Sequence, residues 1–545
     1  MTTARTLIRR LPWPPAIASV ALLALTSALI WRMLAMTEGR YIYPIDDSYI
    51  HMAMAKTLAR HGSWGLSAGQ FDPASSSPLW TLLLAGLYRL CGVHAWGPVA
   101  LAALSSLSLI ALGERILREY VVAPFLRALV LLGVAWIIPL PVLIVTGMEA
   151  PLHAFLTLLL TWTVVQRLAV PPRDAGAGAP SFELGVGALS LLCVLTRFES
   201  VFLIAVLAAA AWAMGRRRTA LALAAGTLGA IGGYAAFAIP RGGLWLPNAV
   251  LIKSAVANLH SRAAWTEFLL RIPGLVMRAR DAHMTALLLA AAYLLAPRPS
   301  IAGPRAAVAR GLLAVFAPAA LLHIQFADIG WFFRYEAYLV ALGAFAIASA
   351  VAAGLGALPS AGRRWHGPLR AAVVLGCAVL AAPLVVRTAR SMQRPPLAAR
   401  NIYEQQFQMG RLVRDCFGGQ GVAVNDIGAV GYLGESPIVD LFGLGTTSIA
   451  RARRAGRYDR GFIEQFCRGS RVRVALVYES WFGKMGGMPR SWRRVGRWTI
   501  RDNIICGDDT VAIFATDPRD ADRVRAALKS FTPRLPVRVS VDIPD

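Results

Sequence analysis

The first 390 residues of the chain contain a succession of long apolar blocks separated by short polar stretches. A helix needs roughly 20 residues to cross the hydrocarbon core of a bilayer, and several of these blocks reach that length. Charged residues make up only 16% of the chain, whereas soluble domains contain about a quarter. The pattern therefore predicts a polytopic α-helical membrane protein with about eleven spans.

The apolar blocks are not all equivalent. Residues 79–91 are too short for a comfortable span, so we predict a helix that lies in the outer membrane interface. The first block has no small-residue cleavage site after it and is interpreted as a retained anchor. The spans are predicted at residues 14–36, 96–112, 123–145, 151–168, 184–196, 200–214, 219–239, 283–295, 307–324, 332–355 and 369–386.

The net charge of +26 comes largely from arginines in short loops between the predicted spans. Cytoplasmic loops of membrane proteins carry an excess of Lys and Arg, which orients the chain. This interpretation leaves no need for a nucleic-acid partner. We predict a multi-pass protein of the bacterial inner membrane, with cytoplasmic loops at residues 115–118, 216–218, 298–310 and 363–370.

The chain changes character near residue 391. Residues 1–390 are predicted to form the membrane domain, with the first outer loop at residues 37–95. Residues 391–545 are charged and contain no candidate span, which indicates a soluble extracytoplasmic domain of the α/β or α+β class. The predicted active site and this domain both face the periplasm.

Short patterns within the C-terminal domain predict its elements. Residues 401–417 read as one amphipathic helix, and strands are expected at residues 421–425, 471–478 and 510–515. An oxidising compartment would permit one disulfide in this domain. The sequence leaves the pairing open among Cys416, Cys467 and Cys506.

Asp46 and Asp47 stand side by side a few residues after the first span. Ionisable groups are costly near a bilayer and commonly mark a functional site. Asp47 also precedes a predicted helix, where an aspartate is a favoured N-cap. We predict that Asp46 acts on a substrate and that Asp47 caps the helix and supports it.

The chemistry of two adjacent carboxylates leaves two roles open. One could be a general base that takes the proton of a hydroxyl as it attacks an anomeric carbon. The second could then stabilise the positive charge of an oxocarbenium-like centre. Alternatively, Asp46 and Asp47 could hold a divalent cation, so the metal requirement stays open.

Basic side chains on the same predicted face could bind a donor phosphate, since Arg and Lys bind phosphate oxygens well. The candidates are Lys253, Arg334 and Arg197. Arg197 could instead form an ion pair with Glu199 or another carboxylate. Glu149 could bind an acceptor hydroxyl or cap the helix that follows it.

Further polar and aromatic side chains surround these charges. His51 is assigned to the donor side of the site, close to the acidic pair. No zinc site is predicted, because the histidines are scattered over separate helices. The acceptor or the sugar is expected to contact Glu149, Glu199, Tyr49, Asn248 and Trp80.

Several short motifs follow one another along nearly the whole chain. They include Asp46-Asp-Ser-Tyr-Ile, Ser76-Ser-Pro-Leu-Trp-Thr, Thr146-Gly-Met-Glu, Leu195-Thr-Arg-Phe-Glu and Asn425-Asp-Ile-Gly-Ala-Val-Gly-Tyr. In this order they resemble the GT-C superfamily of polyprenyl-phosphate-sugar glycosyltransferases. More narrowly, they resemble the mycobacterial terminal β-arabinofuranosyltransferase group.

This resemblance implies that Asp46 or Asp47 is the catalytic base of an inverting reaction with a lipid-linked phosphate sugar as donor. We therefore predict a glycosyltransferase of cell-wall biogenesis. It would move a sugar, arabinofuranose in the narrower group, from polyprenyl phosphate to a hydroxyl of a cell-envelope glycan, lipid or protein. Membrane lipids are the other expected partners.

Two other classes of protein remain as alternatives. A transporter or flippase of lipids or glycans would be expected to show internal repeats and helices broken near the middle of the bilayer. No convincing repeat is visible in the sequence. The other alternative is a non-catalytic envelope scaffold whose C-terminal domain binds glycan.

Overall fold

The computed structural model describes residues 13–169, 180–253, 262–275, 278, 281–296, 303–356 and 363–544. A helical bundle comes first, and a mixed sheet flanked by helices follows it. The predicted combination of an apolar helical region with a small C-terminal α/β domain is therefore confirmed.

The bundle contains both long helices and short connecting ones. They are α1 (Trp13–Met36), α2 (Asp46–His61), α3 (Pro78–Cys91), α4 (Gly97–Arg118), α5 (Pro124–Ile137), α6 (Leu140–Thr146), α7 (Ala150–Ala169), α8 (Pro180–Thr196), α9 (Ser200–Ala213), α10 (Arg217–Ala238), α11 (Asn248–Lys253), α12 (Arg262–Leu269), α13 (Ala282–Leu295), α14 (Pro304–Phe326), α15 (Ala337–Gly356) and α16 (Arg363–Ser391).

Among the described residues, six helices are long and apolar enough to cross a membrane: α1, α4, α7, α10, α14 and α15. Helices α8, α9 and α13 coincide with predicted spans but have only 17, 14 and 14 residues. A straight span needs about 20 residues, so the total of about eleven spans stays a prediction.

The predicted span over residues 123–145 is not one continuous helix. This segment forms α5 and α6, which meet at an angle of 47° and together make a seventh candidate span. The break lies at Ile138 and Pro139. Proline lacks the backbone N–H that a continuous helix needs, and its ring clashes with the preceding turn.

The C-terminal domain is built on a six-stranded sheet with the order β2-β1-β3-β5-β4-β6. β1 pairs in parallel with β2 and β3, whereas the β3–β5, β5–β4 and β4–β6 pairs are antiparallel. The strands are β1 (Gly421–Val424), β2 (Ile438–Asp440), β3 (Val472–Val477), β4 (Arg493–Thr499), β5 (Thr510–Ala515) and β6 (Ser540–Asp542).

Helices cover this sheet and connect it to the bundle. They are α17 (Arg394–Glu404), α18 (Gln406–Cys416), α19 (Gly428–Gly434), α20 (Thr447–Arg454), α21 (Arg460–Gly469) and α22 (Ala521–Phe531). Cys416, Cys467 and Cys506 are all free thiols, so the disulfide that the sequence would permit is not formed.

The prediction of a single helix over residues 401–417 is also wrong. Gln405 adopts φ −119° and ψ −86°, which ends α17 and lets α18 start at the next residue. The side-chain nitrogen of Gln405 donates to the carbonyl oxygen of Asp508 at 2.9 Å. A tertiary hydrogen bond therefore accompanies the break, and the amphipathic pattern does not reveal it.

Helix α2 lies between the bundle and the C-terminal domain. Ile50 and Met54 pack in the same hydrophobic core as the strand residues Val424 and Leu476, whereas Met52 packs in the core of the bundle. Because α2 is held from both sides, its first residues have a fixed position at the boundary. The predicted division of the chain at residue 391 itself stays a prediction.

Candidate active site

A cavity of about 480 Å³ lies between the bundle and the C-terminal domain, at the start of α2. The bundle contributes charged and aromatic side chains to one wall, and the domain contributes amide, carboxylate and aromatic side chains to the other. The polar and aromatic residues that line it include Asp46, Asp47, Lys253, Arg271, Arg278, Asp281, Asp328, Trp331 and Tyr335 from the bundle, and Gln406, Asn425, Asp426, Phe442 and Trp481 from the domain.

The carboxylate of Asp47 is held by two cations. Arg334 donates to its Oδ2 atom, and the Nζ atom of Lys253 lies 4.0 Å from its Oδ1 atom. Burial alone would raise the pKa of Asp47, but Lys253 and Arg334 outweigh burial and hold that pKa well below its usual range. Asp47 is therefore a stable anion at neutral pH.

The predicted capping role of Asp47 is wrong. Helix α2 begins at Asp46, so Ile45 is the N-cap residue, and no side chain caps this helix end. The carboxylate of Asp47 is engaged by Arg334 instead. A full ion pair with a buried guanidinium competes successfully with a single bond to a backbone N–H group.

Asp46 faces the C-terminal domain. Its Oδ2 and Oδ1 atoms accept hydrogen bonds from the backbone N–H groups of Gly428 and Ala429, at 2.7 Å and 2.8 Å. The approach is so close that a Cβ atom on residue 428 would collide with the carbonyl oxygen of Asp46. The glycine therefore allows the domain to dock directly on the acidic pair.

The electrostatic environment of Asp46 is the opposite of that of Asp47. Burial raises the pKa of Asp46 well above its usual value, and the neighbouring carboxylate of Asp426 raises it further. The N–H groups of Ala429 and Gly428 offset only part of this effect. Two adjacent aspartates thus acquire different proton affinities from their surroundings.

Asp426 was not among the residues predicted from the sequence. Its Oδ2 atom lies 2.6 Å from the hydroxyl of Tyr478 and accepts a hydrogen bond from Gln406 at 2.9 Å. The sequence did contain a signal for Asp426, because this residue follows strand β1 within two residues. Ligands of open α/β sheets commonly bind beyond the carboxyl ends of parallel strands.

Two further arginines of the cavity were also missed. Arg271 pairs with Asp328 at 2.7 Å, and Arg278 pairs with Asp281 at 2.7 Å. Together with Lys253 they give the bundle wall of the cavity three cations. Arg334, in contrast, is only 2% exposed and lies behind Asp47.

Three of the predicted residues form a buried ion cluster outside the cavity lining. Arg197 donates to Glu149 at 2.5 Å and to Glu199 at 2.7 Å. In this geometry Arg197, Glu149 and Glu199 bond to one another. Their predicted contacts with a phosphate and with an acceptor are therefore not supported. Buried charges need partners because an unpaired one costs several kcal/mol, and this cluster supplies them internally.

Four other predicted residues are buried by packing between elements. The Nδ1 atom of His51 lies 3.1 Å from the hydroxyl of Thr81, and the hydroxyl of Tyr49 accepts from the backbone of Tyr43. Trp80 is fully buried against α2. Asn248 is likewise fully buried and contacts Thr447 at 3.4 Å. None of these four lines the cavity, so their predicted substrate contacts are not supported.

The donor set of the acidic pair does not suit a divalent cation. Both oxygens of Asp46 accept N–H groups, and Asp47 is engaged by Arg334. Within the described residues, no group of three or more His, Cys, Asp and Glu side chains is arranged to hold a metal ion.

The C-terminal domain matches a family model with the description "Domain of unknown function (DUF8728)" over residues 400–514. This match includes the cavity residues Gln406, Asp426 and Trp481. The match covers a minor part of the chain, and the description of the family names no activity. No curated protein matches the sequence.

The fold of the bundle and the C-terminal domain is the one that the resemblance to the GT-C superfamily implied. The evidence is the crystal structure of ArnT from Cupriavidus metallidurans bound to undecaprenyl phosphate. It is 12% identical, with a TM-score of 0.50 over 92% of this chain and 98% of that chain. The Archaeoglobus fulgidus oligosaccharyltransferase complex with Zn and sulfate is 11% identical, with a TM-score of 0.42 over 95% and 74%. At this identity the likeness to ArnT concerns the fold.

Proposed function

We propose that this protein is a membrane glycosyltransferase that transfers a sugar from polyprenyl phosphate to a hydroxyl group of a cell-envelope glycan, lipid or protein. The observation that carries the proposal is the cavity. It combines an aspartate of raised pKa with a wall of three cations, at the domain-facing end of a GT-C bundle. The undecaprenyl phosphate bound to ArnT supports the class of donor.

The reaction requires a base for the acceptor and a site for the leaving group. The acceptor oxygen attacks the anomeric carbon, its proton passes to Asp46, and the bond between that carbon and the phosphate oxygen breaks. The electron pair of this bond leaves with the polyprenyl phosphate. Lys253, Arg271 and Arg278 would stabilise the phosphate, and attack opposite to it inverts the anomeric configuration.

The assignment of the base to Asp46 follows from the two environments. A general base works best when its pKa approaches the working pH, and the pKa of Asp46 is raised. Asp47 is a weak base because Lys253 and Arg334 hold its pKa low. Its role would be to fix Lys253 beside the donor phosphate, while Arg334 holds the Asp47 carboxylate in place.

The orientation of the chain follows the arginine distribution. Arg118, Arg217 and Arg305 lie at helix ends remote from the cavity, which supports a cytoplasmic location for that end. The cavity and the C-terminal domain would then face the periplasm of a bacterial inner membrane. The motif resemblance supports arabinofuranose as the transferred sugar.

Transfer is expected to decline as the pH falls through a pKa above the usual aspartate range. Asp46 must be deprotonated to act as a base, and burial and Asp426 raise its pKa, so the protonated and inactive form persists to higher pH. Asp426→Asn removes the neighbouring negative charge and should move the acidic limb of kcat/KM to lower pH. Asp522→Asn, at an exposed position of helix α22, is the control and should leave the limb in place. An acidic limb unchanged by Asp426→Asn would contradict this assignment.

The proposed function can be tested in the host by deleting the protein. A lipid-linked sugar should accumulate, because its consumer is missing, and its chemical analysis would name the donor. Complementation with the wild-type chain should remove it. Deletion without accumulation of any lipid-linked sugar would contradict the proposal.

A further inference from the structure

We propose that the C-terminal domain forms the sugar-binding wall of the cavity, with Asp426 accepting hydrogen bonds from sugar hydroxyls and Trp481 stacking on the sugar ring. This inference rests on the proposed function and deepens it. The bundle would then hold the phosphate and the base, whereas the domain would determine which sugar is accepted.

Asp426 has the geometry of a fixed acceptor. Tyr478 and Gln406 both engage its Oδ2 atom, at 2.6 Å and 2.9 Å, which fixes the orientation of the carboxylate. Its Oδ1 atom has no hydrogen-bond partner among the described residues, and the side chain lines the cavity. A carboxylate oxygen accepts hydrogen bonds only, and sugar hydroxyls are donors that suit it.

Trp481 supplies a flat apolar surface close to this carboxylate. Its indole N–H group donates to the carbonyl oxygen of Gly507 at 3.2 Å. Its ring packs beside Tyr478 and Phe442, with ring centroids 5.2 Å and 5.4 Å apart. These contacts fix the ring while it remains part of the cavity wall, so it offers an apolar face to the C–H groups of a sugar.

The two walls of the cavity differ in chemistry. The bundle wall carries Lys253, Arg271 and Arg278, which suit a phosphate. These cations are paired with carboxylates of the same wall, whereas the domain wall carries no cation among the residues that line the cavity and presents amide groups, aromatic rings and the single carboxylate of Asp426. A cavity of about 480 Å³ is in the range of small-molecule sites, and a sugar phosphate has this division of polarity.

The sugar in contact with this wall could belong to the donor or to the acceptor. Both present the same hydroxyl groups and ring faces, so the chemistry of recognition is shared. In either case Asp426 and Trp481 are substrate-contacting residues. The proposal also gives a role to residues 400–514, the part of the chain that matches the family model.

The test uses the full chain in nanodiscs with two probes: undecaprenyl phosphate, and the lipid-linked sugar fraction extracted from host cells that lack the protein. Asp426→Asn and Trp481→Ala should bind undecaprenyl phosphate within about twofold of the wild type. A donor role predicts roughly tenfold weaker binding of the sugar-linked lipid. An acceptor role predicts unchanged donor binding and a raised KM for the acceptor. Trp481→Phe should restore most of the function, and Asp522→Asn should resemble the wild type.

Two results would overturn the inference. One is equal weakening of both probes, which would indicate a general structural defect. The other is unchanged donor binding together with an unchanged acceptor KM. A wild-type protein that binds neither lipid would instead refute the proposed glycosyltransferase function, so the two failures are distinguishable.

Discussion

The Asp46→Asn variant is expected to lose sugar transfer almost completely while it still binds polyprenyl phosphate. A positioned general base contributes roughly 100-fold to 10,000-fold to a rate, and asparagine cannot take the proton of the acceptor. Asp46 bonds to the backbone of Gly428 and Ala429 and forms no ion pair with a cation among the described residues, so donor binding should change little. Initial rates and the affinity for undecaprenyl phosphate should be measured on the same preparations.

Asp47→Asn is the matched control for this experiment, because it makes the same chemical change at the adjacent residue. Asp47 fixes Arg334 and Lys253, so its loss should act mainly on the donor KM. Loss of the Asp46 carboxylate should mainly lower kcat. Equal defects in both variants, or a larger kcat defect in Asp47→Asn, would contradict the assignment of the base.

Since Asp46 also accepts two backbone N–H groups from the domain, each variant needs a check of its fold. Asparagine retains one acceptor oxygen and should preserve part of this contact. Thermal unfolding in detergent would show whether the domain still docks. A variant that unfolds at the same temperature as the wild type but does not transfer sugar supports the role of Asp46 as the base.

Lys253→Met is expected to weaken binding of polyprenyl phosphate about 10-fold to 100-fold. A hydrogen bond to a charged group contributes about 1.5–3 kcal/mol, and the Lys253 side chain lines the cavity with 36% of its surface exposed. Methionine keeps the apolar stem of the side chain and removes the charge. Binding of undecaprenyl phosphate in nanodiscs is the appropriate measurement.

Lys484→Met provides the matched control for Lys253. Lys484 is exposed on the C-terminal domain and does not line the cavity, so its replacement should leave lipid binding unchanged. A raised salt concentration should weaken the wild type more than Lys253→Met, because the variant has lost a charge. Equal affinity in Lys253→Met and the wild type would exclude this lysine from the phosphate site.

The helical part of the fold could be predicted because apolar blocks carry their own signal. Most of each predicted block is helical, although the block over residues 123–145 is divided between α5 and α6, and the strands β1, β3 and β5 were also predicted. Strand β4 was missed because Arg493, Arg494 and Arg497 interrupt its apolar pattern. Strands β2 and β6 contain only three residues each, which is too short for a periodic pattern.

The candidate site could be predicted only in part. The sequence pointed to the acidic pair and to Lys253, whose charges are unusual beside apolar segments. It could not point to the contact between Asp46 and Gly428, which lie 382 residues apart. The pairing of Arg197 with Glu199 was one of two alternatives open from the sequence, whereas its contact with Glu149, 48 residues away, appears only in the folded chain.

The same limit explains the misassigned aromatic and polar residues. Tyr49 lies close to the acidic pair in sequence and Trp80 lies in the same predicted outer loop, but the packing of α2 against its neighbours buries both side chains. Sequence proximity does not tell which side of a helix faces a cavity when every side of that helix is buried. The position of the C-terminal domain determines which side of α2 faces the cavity, and this domain is distant from α2 in sequence.

The most direct test of the central claim is a transfer assay with the purified full-length protein in liposomes. The donor is the lipid-linked sugar fraction that accumulates without the protein, and a cell-envelope extract supplies the acceptor. The proposed function predicts that each sugar joined to the acceptor releases one polyprenyl phosphate, and that Asp46→Asn prevents both. Movement of the intact lipid-linked sugar across the bilayer without release of polyprenyl phosphate would contradict it.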